Sequence, residues 1–132
     1  MHIVICLDDR NGFLFNQRRV SSDRAVSARI LQTAAGSLWM HPDSRKLFQE
    51  GQYCVADNYL DHAGAGDTCF VESLDFLSCL DRVESVTVYR WNRAYPSDTK
   101  LPAQILAGWT LTATTDFPGN SHERITEERY VL

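Results

Sequence analysis

Residues 1–31 constrain this chain more than any other stretch. His2-Ile3-Val4-Ile5-Cys6-Leu7 is an apolar run rich in β-branched side chains, which predicts a strand buried on both faces. Asp8-Asp9-Arg10-Asn11-Gly12 follows as a turn cluster, with Gly12 expected to supply a positive φ. Phe13 to Ser21 reads as a long polar loop carrying Asn16, Gln17, Arg18 and Arg19. Ser21, Ser22 or Asp23 then caps a helix whose Ala25, Val26, Ala28, Ile30 and Leu31 fit a helical period better than alternation. A buried strand that empties into a long loop and a capped helix frames a ligand site at the carboxyl end of that strand. A loop of this length in that place tends to be functional.

The remaining chain alternates strand and helix, then changes character. Ala35-Gly36 closes the first helix, and Ser37 to Met40 is a short strand. His41-Pro42-Asp43-Ser44 turns into a helix over Arg45 to Gln49, ended by Gly51. Gln52 to Ala56 is a third strand, Asp57 to Asp67 a polar loop, and Thr68 to Val71 a fourth strand. Ser73 to Leu80 is an amphipathic helix capped by Ser73, and Glu84 to Trp91 a fifth strand. Two prolines make Tyr95 to Pro102 a loop. Trp109 to Thr115 and Ile125 to Leu132 are the arms of a hairpin that turns at Phe117 to Asn120. Such an order implies parallel strands with right-handed crossovers, closed by antiparallel strands at one edge. The expected architecture is a three-layer α/β domain over residues 1–132, with a mixed, mostly parallel sheet and a C-terminal antiparallel hairpin.

Charge and cysteine usage exclude several classes. A net charge of −4 argues against a nucleic-acid surface, which needs a concentrated basic field. Nothing resembles a twenty-residue apolar span or a charged-then-apolar leader, so no membrane is expected. Cys6, Cys54, Cys69 and Cys79 show no CxxC pair and read as reduced core thiols of a cytoplasmic protein. No metal site is expected. His2, His41, His62 and His122 are far apart, and Asp8-Asp9 lacks a further ligand at suitable spacing. No Ser-His-Asp arrangement follows from spacing, because such triads are spatial rather than sequential.

Several of these segments resemble dihydrofolate reductase: the opening strand, the loop with a mid-loop glycine, and an acidic residue at the first helix. Asp23, eleven residues after Gly12, falls near that family's buried substrate-binding acid. Ser97-Asp98-Thr99-Lys100-Leu101-Pro102 resembles the family's Gly-Asp-Thr-x-Phe-Pro loop, and Trp109 with the terminal hairpin is similar to its ending. The resemblance implies that Thr99 supports Asp23. Its departures concern the cofactor. The Gly-Arg-x-Thr segment that binds cofactor phosphate in the family reads His41-Pro42-Asp43-Ser44 here, where only Ser44 keeps the hydroxyl and Pro42 lacks a donor. The glycine-rich pyrophosphate turn has no counterpart between Cys79 and Val86, and the arginine that grips the folate tail reads Gln52. NADPH is therefore disfavoured as a cofactor, since dinucleotide phosphates need helix N-termini and close backbone approach.

The candidate site follows from both lines. Asp23 is either an N-terminal helix acid favoured by the macrodipole or a ligand-facing, catalytic carboxylate. Asp8, Asn11, Arg18 and Thr99 are further candidate ligand contacts, expected with Asp23 at the carboxyl end of the first strand, and the resemblance adds Ser44. The leading expectation is a small heterocyclic ligand, pterin- or nucleotide-like, bound without standard NADPH-dependent reduction. Two alternatives stay open: an NAD(P)H-dependent oxidoreductase with an altered cofactor site, and an interaction protein on the same scaffold. The short sheet leaves an edge that suits a second copy, so a homodimer is an expected partner state.

Overall fold

A computed structural model describes residues 1–48 and 51–132. In chain order, β1 (His2–Leu7) leads into a hairpin of β2 (Gly12–Phe15) and β3 (Arg18–Arg19), followed by α1 (Arg24–Thr33). β4 (Leu38–Met40), a 3-10 helix (Pro42–Leu47), β5 (Cys54–Val55) and the short α2 (Tyr59–His62) come next. Then follow β6 (Thr68–Phe70), a second 3-10 helix (Asp75–Arg82) and β7 (Ser85–Arg90). β8 (Thr99–Lys100), α3 (Ala103–Ala107), β9 (Thr110–Phe117) and β10 (Ile125–Val131) complete the chain.

β1 is the middle strand of a seven-stranded sheet ordered β5-β4-β6-β1-β7-β10-β9. It pairs in parallel with β6 and β7, and β4 continues the parallel half to β5. β10 runs antiparallel to both β7 and β9, so the C-terminal hairpin forms the other edge. The apolar opening run earns that central place because both of its faces are covered. Ile3, Ile5 and Leu7 are fully buried with Val86 and Val88 under Phe76, Tyr59 and Leu101. Val4 and Phe70 pack on the opposite face against Val26 and Ile30 of α1, Phe48 and Trp91. The three expected layers are present: α1 on one face, and α2, α3 and the second 3-10 helix on the other.

Several local expectations are corrected. The stretch Phe13 to Ser21 is not an open loop. Asn16 and Gln17 take φ of 54° and 63°, the left-handed pair of a tight hairpin turn, and β2 pairs with β8 on its other side. Gly12 does not supply a positive φ; Asn11 does, at 65°. Glycine is needed at 12 because a Cβ there would collide with Ser97. Both expected middle helices are 3-10. The first starts at Pro42, and its expected end at Gln49 lies outside the described residues. Leu74, not Ser73, is the cap residue of the second, although the Asp75 N–H does donate to Ser73 Oγ at 3.3 Å. The third strand shrinks to Cys54–Val55, and the Asp57 to Asp67 loop contains α2.

No helix is long and apolar enough to cross a membrane among the described residues. Ile5 is 0% exposed in the middle of the central strand. Ile5→Ala should lower unfolding stability by about 2–5 kcal/mol through the cavity it leaves. Urea denaturation measures it; a loss under about 1 kcal/mol would contradict the central placement of β1.

Candidate functional site

Asp23 sits just ahead of α1 in extended backbone, where a carboxylate can reach back to the first turn. Its Oδ1 accepts from the Ala25 N–H at 2.8 Å and from the Asn120 N–H at 2.9 Å. Its Oδ2 accepts from the Ser121 N–H at 2.9 Å, the His122 N–H at 3.1 Å and His122 Nδ1 at 2.9 Å, with the Ser121 hydroxyl at 3.2 Å. The side chain is 0% exposed. A carboxylate offers about four lone-pair sites, and these donors fill them. Burial raises the Asp23 pKa, but the N–H of Asn120, the His122 ring and the N–H groups of Ser121 and Ala25 outweigh it and hold the carboxyl well below the usual range.

The Gly119–His122 turn is built around this carboxylate. A Cβ on Gly119 would lie 2.6 Å from the His122 carbonyl oxygen and 2.7 Å from Asp23 Oδ2, so only glycine fits. His122 is buried, its ring stacked on Trp91 at 4.7 Å between centroids and 22° between planes. An anionic carboxylate only accepts, so the facing Nδ1 carries the hydrogen. In the neutral ring Nε2 then holds the lone pair. Two hydroxyls reach it, Ser21 Oγ at 3.0 Å and Tyr95 Oη at 2.9 Å.

A cavity opens beside this network at the carboxyl ends of β1 and β6. Its walls include Cys6, Val26, Phe48, Phe70 and Trp91, with Ser21 and Asp23 on one rim and Arg19 and Glu72 on another. About 430 Å³ separates the walls when the mouth is counted, but the interior free volume is about 20 Å³, close to one water. Glu72 is the polar feature of the pocket. Arg19 grips it twice, Nε to Oε2 and Nη2 to Oε1, both at 2.8 Å, and the Ser44 hydroxyl donates to Oε1 at 2.7 Å. Beyond Arg19 lies an open groove of about 520 Å³ bordered by Asn16, Arg18 and Tyr95.

The remaining sequence candidates have other places. Asp8 accepts from the N–H groups of Arg10, Gly12 and Tyr95 and so ties the β1–β2 turn to the loop at 95. Asn11 Oδ1 accepts from Arg90 Nη1 at 2.6 Å. Thr99 lies on β8, and its hydroxyl donates to Asp98. The pairing of Thr99 with Asp23 is not made, because neighbouring backbone and His122 already occupy that carboxylate. Ser44 is buried on Glu72, and Arg18 is exposed on the groove. Sequence reasoning passed over Glu72 and His122. Glu72 stands next to the ends of β6 and Arg19 is 53 residues away, so no spacing flagged the pair.

Burial pushes the Cys6 thiol far up, with Glu72 adding to the effect, and Cys69 up to about 11. Neither is a thiolate near neutral pH. At the stretch compared with a cofactor phosphate segment, Pro42 has no N–H, the Asp43 N–H donates to His41 Nδ1 and the Ser44 N–H to the His41 carbonyl. The Asp43 carboxylate stands exposed beside them. These residues do not fit a dinucleotide phosphate.

No protein-family model matches the sequence, and comparison with curated proteins finds no match. Among solved structures, a dihydrofolate reductase from Enterococcus faecalis complexed with NADP(H) and RAB-propyl is similar over 99% of this chain and 95% of its own. The TM-score is 0.66 and the sequence identity 13%. The chain therefore has a dihydrofolate reductase-like fold.

The Asp23 carboxylate has a signature in acid. An unfolded Asp titrates near pH 3.9, whereas here the charge persists to lower pH. Its stabilisation is complete above about pH 5 and fades as pH falls below about 4. Asp23→Asn should cost about 2–4 kcal/mol at pH 7 and clearly less near pH 3. Denaturant unfolding of both proteins at the two pH values checks this; equal losses would refute it.

Proposed function

We propose that this protein binds a small flat heterocycle, pterin- or nucleotide-like, in the cavity beside α1, and that it does so without standard NADPH-dependent reduction. The observation that carries this reading is the Arg19–Glu72 pair on the rim of an apolar, aromatic-walled pocket at the carboxyl ends of β1 and β6. Ligand pockets in α/β sheets lie at that end, mostly apolar with a few convergent polar groups.

The pair has unused capacity. Glu72 accepts two bonds on Oε1 and one on Oε2, which leaves about one lone-pair site. Arg19 Nη1 donates to nothing among the described residues, so its two hydrogens remain for a ligand. Together they offer an acceptor beside a donor, which matches the adjacent N–H and ring nitrogen on the edge of a pterin or purine. Asp23 then serves as pocket wall rather than as the gripping acid, and Arg18 meets polar substituents that extend into the groove. Entry of a ring requires wall side chains to rotate outward, because the free interior is close to one water. The likeness to a reductase complexed with NADP(H) supports the scaffold; the donor accounting at His41–Ser44 supports the loss of its cofactor.

Calorimetric titration with a 2-aminopterin, a purine nucleoside and NADPH tests the proposal. One of the two rings should bind with Kd below about 100 μM, about −5.5 kcal/mol, and Glu72→Gln should weaken it about tenfold. Failure of both rings, or NADPH binding tighter than about 10 μM, about −6.8 kcal/mol, would overturn it.

A further inference from the structure

A different chemistry is assembled at the rim of the same cavity, from side chains up to 101 residues apart. We propose that Ser21, His122 and Asp23 hydrolyse small carboxylic esters, with Ser21 Oγ as nucleophile, His122 Nε2 as base and Asp23 as positioning residue. This inference does not depend on heterocycle binding, which uses neither Ser21 nor His122.

The geometry meets each requirement of an activated hydroxyl. Asp23 Oδ2 at 2.9 Å fixes the ring so that Nδ1 carries the hydrogen, and Ser21 Oγ lies 3.0 Å from the nitrogen left as base. Trp91 stacked on the ring holds its plane, and the His122 side chain is 3% exposed. Ser21 is half-buried and lines the cavity. Joining the turn to α1 needs only the N–H groups of residues 120–122 and Nδ1. The Nε2 lone pair has no part in that, yet two hydroxyls converge on it.

Nε2 has one lone pair and can serve one hydroxyl at a time. When Ser21 donates to it, the Tyr95 hydroxyl, 3.3 Å from Ser21 Oγ, has its hydrogen available for a carbonyl oxygen in the groove. That is where negative charge develops as the hydroxyl adds. The shape assigns the substrate class. The free interior is close to one water, so the smallest acyl group, acetyl, is the one that enters with the least displacement of wall side chains. The wider groove outside, with Asn16 and Arg18, takes a polar or anionic alcohol portion.

In the first half-reaction Ser21 Oγ bonds to the ester carbonyl carbon while its proton passes to Nε2. The carbon–oxygen bond to the alcohol portion breaks, and that oxygen takes the proton from His122. In the second, water adds to the acyl-Ser21 carbon, giving a proton to Nε2. The bond to Ser21 breaks and Oγ recovers the proton. One ester and one water yield one acid and one alcohol.

The test uses the intact protein with p-nitrophenyl acetate and, separately, methanesulfonyl fluoride, whose sulfonyl group is close to acetyl in size, followed by mass spectrometry and peptide mapping. One acetyl or methanesulfonyl group per chain should appear on Ser21. Nitrophenol release should fall on the order of 10²-fold or more in Ser21→Ala, which leaves the Asp23–His122 bond intact. Mapping of the wild-type adduct stands even if a variant folds poorly. No adduct, an adduct on any residue other than Ser21, or an unchanged rate in Ser21→Ala would overturn the proposal.

Discussion

The structure depends on one buried carboxylate meeting more donors than it needs. Asp23 closes the first turn of α1 through Ala25 and simultaneously gathers the backbone of Asn120, Ser121 and His122. Each N–H it satisfies is one that would otherwise be buried or frayed, so helix and turn stabilise each other. A second tie lies further along the helix. Arg29 holds Glu127 of β10 at 2.6 Å, and the Tyr89 hydroxyl donates to the same carboxylate at 2.7 Å. Together these two acids fix α1 to the C-terminal hairpin at two points. They thereby set one wall of the cavity, since Ser21, Val26 and Ile30 all belong to the stretch that is held.

The sequence made the frame legible and hid the ties. A β-branched opening run with no polar interruption before Asp8 identified the central strand, and Val26 and Ile30 at helical spacing identified the buried face of α1. The terminal hairpin was readable from alternation and a Pro-Gly turn. Asp23 was readable as a cap, because that depends on neighbours two residues away. Its other partners are 97–99 residues downstream, and no local rule reports them. The hairpin at 12–19 escaped because Asn16 and Gln17, not glycine, take the left-handed conformations. The polar surroundings of that turn resemble any loop. The 3-10 segments escaped because an apolar period does not distinguish them from α-helix over six to eight residues.

An acid at the start of the first helix is present, but neighbouring backbone and an imidazole consume its acceptor sites. Arg19, Glu72 and Ser21 line the pocket, and Tyr95 and His122 are hydrogen-bonded to Ser21. Ser44, placed where a phosphate contact was looked for, instead buttresses Glu72. Where Asp23 spends its lone pairs fixes the His122 ring and leaves Arg19 and Glu72 as the charged pair of the pocket.

The state of the His122 ring tests that account most directly. A long-range proton–nitrogen NMR correlation spectrum, recorded at a pH where the imidazole is neutral, reports which nitrogen carries the hydrogen. With Asp23 Oδ2 2.9 Å from Nδ1, the account predicts a hydrogen on Nδ1 and a lone pair on Nε2, where Ser21 and Tyr95 converge. A spectrum showing the hydrogen on Nε2 would mean that Asp23 does not hold the ring, and would contradict it.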